Sequence, residues 1–290
     1  MAFLVCWHRQ LMLFFVALGF FTRIPMPRWV VVDRIALNQA NRYFGAVGLV
    51  VGFISAAVYW AAAMIFPASV AIILAMICSM FVTGGFHEDG LADTADGLGG
   101  GWRVADKLRI MKDSRLGSYG ALALVSALIL KWQLLLALSG LSEATVVSSG
   151  WYQWGDVPKP DHVMLAIIIA HTLSRVVATS LIFSEPYVQD DDKSKSKPLA
   201  ETQTVNDLYV LVLTGISVCF LGVSILSSRG GLEPFESVLA LAFSALMVRW
   251  IAARFLRRQI GGITGDTLGA VQQVSELVCY GVLFMCWSAT

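Results

Sequence analysis

The chain has 290 residues, of which 57% are hydrophobic and only 14% charged, and its mean hydropathy is +0.70. A soluble domain carries about 25% charged residues, so disorder, fibrous repeats and an ordinary water-soluble enzyme are excluded. A net charge of +1 supplies no basic face, and no nucleic-acid partner is expected.

In chain order, residues 2–22 are apolar but interrupted by Trp7-His8-Arg9-Gln10 and closed by Arg23-Ile24-Pro25-Met26-Pro27. No small-residue cleavage site ends this stretch. It reads as an interfacial or half-inserted helix, with an eighth span as the alternative. Seven spans of about the 20 apolar residues that a bilayer core requires follow at 45–66, 67–86, 118–141, 163–183, 207–228, 236–256 and 268–287. The first two are parted only by Phe66-Pro67, which predicts a tight hairpin. Cys6, Cys78, Cys219, Cys279 and Cys286 lie in or beside apolar runs without C-x-x-C spacing. They read as helix filler, neither a disulfide framework nor a zinc site. There is no internal repeat at a transporter-like period. The expectation is an all-α, polytopic membrane bundle forming one catalytic domain over 1–290.

Orientation follows from the loops. Segments 23–42, 87–117, 184–206 and 254–267 hold four, five, three and three Lys or Arg, whereas the opposite connections hold two in all. The positive-inside rule puts the first set in the cytoplasm.

The first of these polar segments to carry chemistry runs from Thr83 to Gly101 and contains His87-Glu88-Asp89, Asp93 and Asp96. If the helix of the second span continues through it, the three Asp fall at i, i+4 and i+7, within about 60° on one face. Aligned carboxylates repel unless a cation lies between them. Oxygen-only ligands suit Mg²⁺ or Mn²⁺, which bridge to substrate phosphates. Glu88 stands beside them as a further candidate ligand. The interleaved Gly and Ala are expected to let substrate and backbone approach closely.

Downstream, Lys107, Arg109, Lys112-Asp113-Ser114-Arg115 form a basic segment suited to clamping phosphate. A third cluster opens the last span, with Thr264, Asp266, Gln272, Gln273 and Glu276. Glu276 lies about 15 Å beyond Asp266 along a helix, too deep to share a metal at the mouth. It is expected to pair inside the bundle with Lys131, Arg175 or Arg249, because an unpaired buried charge is costly. The tract from Asp190 to Ala200, with Lys193, Lys195 and Lys197, is a charge run placed to act as a lid or substrate contact.

Carboxylates and basic groups at a membrane surface suit transfer at a diphosphate. Three chemistries stay open on these grounds: alcohol phosphotransfer from a nucleotide-diphosphate donor, prenyl transfer, and pyrophosphate hydrolysis. A transporter would need its polar groups near the midplane around broken helices, whereas the densest motifs lie on one face. A lipid CDP-alcohol phosphotransferase has Ala-Arg after its first Asp-Gly, whereas Asp89-Gly90 is followed by Leu91-Ala92-Asp93.

Thr83 to Gly101, Ile110-Met111-Lys112-Asp113-Ser114-Arg115-Leu116-Gly117 and Gly262-Ile263-Thr264-Gly265-Asp266-Thr267-Leu268-Gly269-Ala270 closely resemble the cobalamin synthase family. Phe21 to Pro27 and Lys131 match it too, in order and with similar spacing. Ser194 to Ala200 looks like a subset of the family, and members commonly carry Glu at the position of Gln273. The resemblance implies an Mg²⁺-dependent enzyme of the bacterial inner membrane. A hydroxyl of α-ribazole, or of its 5′-phosphate, attacks the cobinamide-side phosphorus of adenosylcobinamide-GDP, and GMP leaves. Asp89, Asp93 and Asp96, with Glu88, would hold the metal, and one of these Asp or Asp266 would be the base. Lys112 and Arg115 would stabilise phosphate charge, with Asp113 orienting them. Ser114, Arg109, Thr264, Lys131, Arg23 and Lys197 complete the expected substrate contacts. Membrane lipid surrounds the chain, and a homo-oligomer is left open.

Overall fold

The computed structural model describes residues 2–143, 161–188, 202–226 and 232–288. The lid tract with Lys197, and most of the connection at 142–162, lie outside the described residues. Those described are almost wholly helical: α1 (Ala2–Phe21), α2 (Arg34–Ala40), α3 (Phe44–Ala63), α4 (Ala68–Thr83), α5 (Phe86–Gly100), α6 (Val104–Met111), α7 (Ser118–Glu143), α8 (His162–Ser180), α9 (Val205–Leu226), α10 (Pro234–Ile260) and α11 (Gly265–Ser288). An isolated bridge pairs Tyr187 with Ile263 and pins the loop before α11.

Among the described residues, six helices are long and apolar enough to cross a membrane, and a seventh span results if the bent pair α4–α5 is counted as one. The expected spans therefore fall on helices within a few residues. Local chemistry sets their ends. Pro67 precedes α4 at the hairpin, Asp161 caps α8 by accepting from Met164 N–H at 2.8 Å, and Pro234 opens α10.

The second span departs from expectation. It does not run on into the Asp segment. Gly84 and Gly85 both take φ near +70° (71° and 72°), a left-handed conformation that side chains disfavour. The chain consequently turns by 87° and restarts as α5. The Asp residues keep their helical alignment, but on a separate helix laid across the bundle end.

The core is built around α8, which is buried along nearly its whole length. Ala166, Ile169 and Ala170 of α8 pack with Ile72, Leu138, Tyr280 and Leu283 from α4, α7 and α11. The N-terminal α1 is partly buried: Leu13, Val16 and Ala17 pack with Ala36, Ala40, Val47 and Val51 of α2 and α3. At the other extreme, α9 and α10 present Leu213, Phe220, Phe243, Leu246 and Trp250 outward. Such continuous apolar exposure suits hydrocarbon and not water. Cys219, Cys279 and Cys286 are free thiols buried within helices, as their apolar surroundings imply.

Candidate active site

The site is organised by the crossing of α5 with the start of α11. A Cβ at Gly90 would lie 2.7 Å from the Asp266 carbonyl oxygen, and one at Gly269 would lie 3.3 Å from the Gly90 Cα. Gly90 has no room for a side chain, and Gly269 has little. The small residues among the Asp, expected to admit substrate, thus serve in part to bring helix against helix. The consequence is that Asp89 and Asp93 of α5 meet Asp266 of α11 at one end of the bundle.

Asp89 is exposed, and Asp93 and Asp266 are half-buried. Burial, then the nearby charges of Asp89, Asp266 and Asp96, push the Asp93 carboxyl up from 3.8 to about 7. Burial contributes the largest part of that rise and the crowding of carboxylates the rest. Among the described residues, no three His, Cys, Asp or Glu side chains already converge on one metal position. The donor set nevertheless fits a hard divalent cation: oxygen-only, mutually repelling and reachable from outside. Lys112 is close enough to Asp266 for their charges to attract.

Asp96 has a second task. Its two oxygens accept the Gly117 and Gly120 N–H groups at 2.7 and 2.8 Å. It therefore caps α7 from a neighbouring helix and ties the loop 112–117 to α5. Within that loop Arg115 grips Asp113 through two charge-assisted bonds, Nε to Oδ1 at 3.0 Å and Nη2 to Oδ2 at 2.6 Å. The grip pulls the Asp113 carboxyl down to about 2. Asp113 thus pairs with Arg115, one of the two basic residues it is expected to orient. Ser114 is exposed in the same loop, whereas Arg109 stands outward on α6 with Asp106 3.9 Å away.

Other expected residues are placed elsewhere. Glu88 faces inward, is 9% exposed, and accepts from the Gln273 amide at 3.2 Å. One residue along a helix is a rotation of about 100°, which takes Glu88 off the Asp face. Thr264 is fully buried. The Thr264 N–H donates to the Thr267 hydroxyl at 2.8 Å, and the Thr267 N–H to Thr264 Oγ1 at 3.2 Å, which caps α11. Arg23 is exposed at the α4–α5 turn, where its N–H donates to the Val82 carbonyl at 2.8 Å.

Lys131 is not at the mouth. It is 4% exposed, about 20 Å along α7 from Ser118, and pairs with Glu276 at 2.5 Å. Gln272 and Tyr280 also donate to Glu276, at 2.8 and 2.9 Å. The inward pairing expected for Glu276 is what the geometry contains. Arg175 donates instead to the His171 carbonyl at 2.9 Å, and Arg249 to Ser180 and Ser184 at 3.0 and 2.8 Å.

Lys107, expected to clamp phosphate with the rest of the basic segment, is instead buried and donates to the Gln259 side chain and carbonyl, which moors α6 to the end of α10. Sequence reasoning missed one group. His87 and three phenylalanines meet beside the crossing, and nothing in their spacing announced it.

The fold is a polytopic helical bundle of membrane type, with an acidic face beside a basic loop at one end. The cobalamin-5-phosphate synthase family matches residues 13–284, and the chain belongs to that family. It is 56% identical over 277 residues to a protein of Shewanella frigidimarina named adenosylcobinamide-GDP ribazoletransferase, covering 96% of this chain and 95% of that one. Proteins of the same name from Shewanella oneidensis and Shewanella pealeana are 52% and 56% identical over 96% of this chain, covering 96% and 97% of theirs. No solved structure matches it.

Proposed function

We infer that this chain is an Mg²⁺-dependent adenosylcobinamide-GDP ribazoletransferase of the bacterial inner membrane, with its site facing the cytoplasm. The supporting relatives share more than half its residues and carry that name. The observation that carries the chemistry is the α5–α11 crossing, which sets Asp89, Asp93 and Asp266 beside the loop bearing Lys112 and Arg115.

In this reading a ribose hydroxyl of α-ribazole, or of its 5′-phosphate, attacks the cobinamide-side phosphorus of adenosylcobinamide-GDP. A P–O bond forms to the ribose, the P–O bond to GMP breaks, and the hydroxyl proton passes to a carboxylate oxygen. Asp96 already accepts two backbone N–H groups, so the metal and base roles fall to Asp89, Asp93 and Asp266. Magnesium would neutralise the diphosphate and stabilise the leaving GMP. Lys112 adds positive charge beside Asp266, and Arg115, held by Asp113, presents its remaining N–H groups to phosphate. The outward apolar faces of α9 and α10 take membrane lipid as their solvent.

The deciding assay gives purified protein both substrates and follows GMP release with and without Mg²⁺. No GMP under either condition overturns the reading. Orientation is tested separately. Single cysteines placed in 87–117 should react with an impermeant label only from the cytoplasmic side, and those in 142–162 only from outside. Labelling of both from one face defeats the topology.

A further inference from the structure

A cleft of about 520 Å³ of empty space, part of it open to the outside, borders the α5–α11 crossing. The proposed reaction as described makes no use of it. Its walls are aromatic: Phe21 ends α1, Phe44 begins α3, and Phe86 and His87 begin α5. The Phe21 ring centre lies 4.0 Å from that of Phe44 and 5.6 Å from that of Phe86, edge-on at 81° to each. The His87 imidazole is stacked with Phe21 at 6.0 Å and 15°.

The polar part of the lining includes Arg175, which is only 4% exposed. Its Nη1 donates to the His171 carbonyl at 2.9 Å and its Nε is enclosed by the protein, so the rings set what the cleft selects. An acyl chain would fill the cleft but has no flat face to lay against them. Guanine is flat, yet brings several N–H donors that these apolar walls would leave unpaired. A benzimidazole is flat and apolar at its edge. Gly265 lines the cleft and Asp266 follows it directly, so a base seated there leaves its ribose at the carboxylate face.

We propose that this cleft holds the benzimidazole base of the acceptor nucleoside, its ring among Phe21, Phe44 and Phe86. The assignment rests on the ribazoletransferase reading above.

Phe86 is the best residue to vary, being at the rim and 36% exposed. Phe86→Leu keeps an apolar side chain and loses the ring face. It should raise the KM for α-ribazole about tenfold, in keeping with the loss of one base–aromatic stacking contact, while the KM for adenosylcobinamide-GDP and the melting temperature hold. Phe86→Tyr restores the ring and should match wild type. A direct titration of α-ribazole fluorescence, without the donor, should show the same weakening for Phe86→Leu. An unchanged KM and unchanged titration overturn the assignment, as does an equal or larger rise in the KM for the donor, which would put guanine in the cleft. These failures leave wild-type GMP release intact. Absence of GMP from wild type instead defeats the functional reading, and the titration still decides what the cleft binds.

Discussion

Two regions of this molecule use the same residue types to opposite ends. At the α5–α11 crossing, Asp89, Asp93 and Asp266 stand together with too little positive charge, and Asp93 retains its proton up to about pH 7. One turn or more further into the bundle, Glu276 meets Lys131 at 2.5 Å, Gln272 at 2.8 Å and Tyr280 at 2.9 Å. Glu88 and Gln273 extend that network toward α5. Glu276 is paired through both oxygens and closed off, so it holds helices together. The outer carboxylates are crowded and open to the outside, which suits a cation. Gln273 illustrates the distinction: its amide donates to both Glu88 and Gln272, whereas a carboxylate there would add a charge the inner cluster does not need.

Breaking each region should therefore fail differently. Asp93→Asn removes a charge at nearly constant volume from the outer cluster. Turnover is expected to fall by roughly 10²–10⁴-fold with the melting temperature unchanged or raised, since a repulsion is relieved. Retention of more than about a tenth of wild-type turnover at saturating Mg²⁺, a barrier change under about 1.4 kcal/mol, would remove Asp93 from the chemistry.

Glu276→Gln breaks the inner cluster and leaves Lys131 as an uncompensated buried charge. Removing one partner of such a pair typically costs about 3–5 kcal/mol. The expected result is a lower detergent-extracted melting temperature, with GMP release per folded molecule largely kept. A Glu276→Gln protein that melts like wild type yet releases no GMP would move Glu276 into the active site.

Asp96 links the two behaviours and sharpens the comparison. It belongs to the outer face by helical register, but its oxygens are engaged by Gly117 and Gly120. Asp96→Asn keeps one acceptor and turns an NH₂ toward the other N–H. A loss of about 0.5–2 kcal/mol is expected, the range for a helix cap, with turnover reduced far less than by Asp93→Asn. Equal loss of turnover in both variants would return Asp96 to the metal.

Much of this division was legible in the sequence because it follows from cost. Hydropathy located the spans, and the expense of an isolated charge in hydrocarbon paired Glu276 with a cation before any contact was known. The register of Asp89, Asp93 and Asp96 also survived, because α-helical spacing is local. What escaped was set by tertiary contact. Gly84-Gly85 is a breaker signal, but whether it ends a helix or merely bends one depends on what receives the next segment. Here α11 does, through Gly90 and Gly269. Glu88 parted from its neighbour Asp89 by a helical rotation that only becomes informative once the inward face is known. Thr264 resembled a polar site residue, though the Thr264-x-x-Thr267 pattern is equally a cap. The aromatic cleft draws Phe21, Phe44 and Phe86 from three helices, and no periodicity joins them.

The smallest expected effect tests the unmatched charge itself. Asp93 titrates at about 7 in the fold against 3.8 unfolded, so between these values the folded chain binds more protons than the unfolded one. Its contribution to stability is then lost as pH rises from about 4 to about 7, and flattens above that. Added Mg²⁺ must displace the proton below pH 7 but meets ionised carboxylates above it. The melting temperature of the substrate-free protein should therefore rise more on adding Mg²⁺ at pH 8 than at pH 5.5, and Asp93→Asn should flatten that difference. The inner cluster predicts no such response, since Glu276 is already matched by Lys131. A Mg²⁺ shift that is the same at both pH values, or that survives Asp93→Asn, would place the cation elsewhere than the α5–α11 crossing.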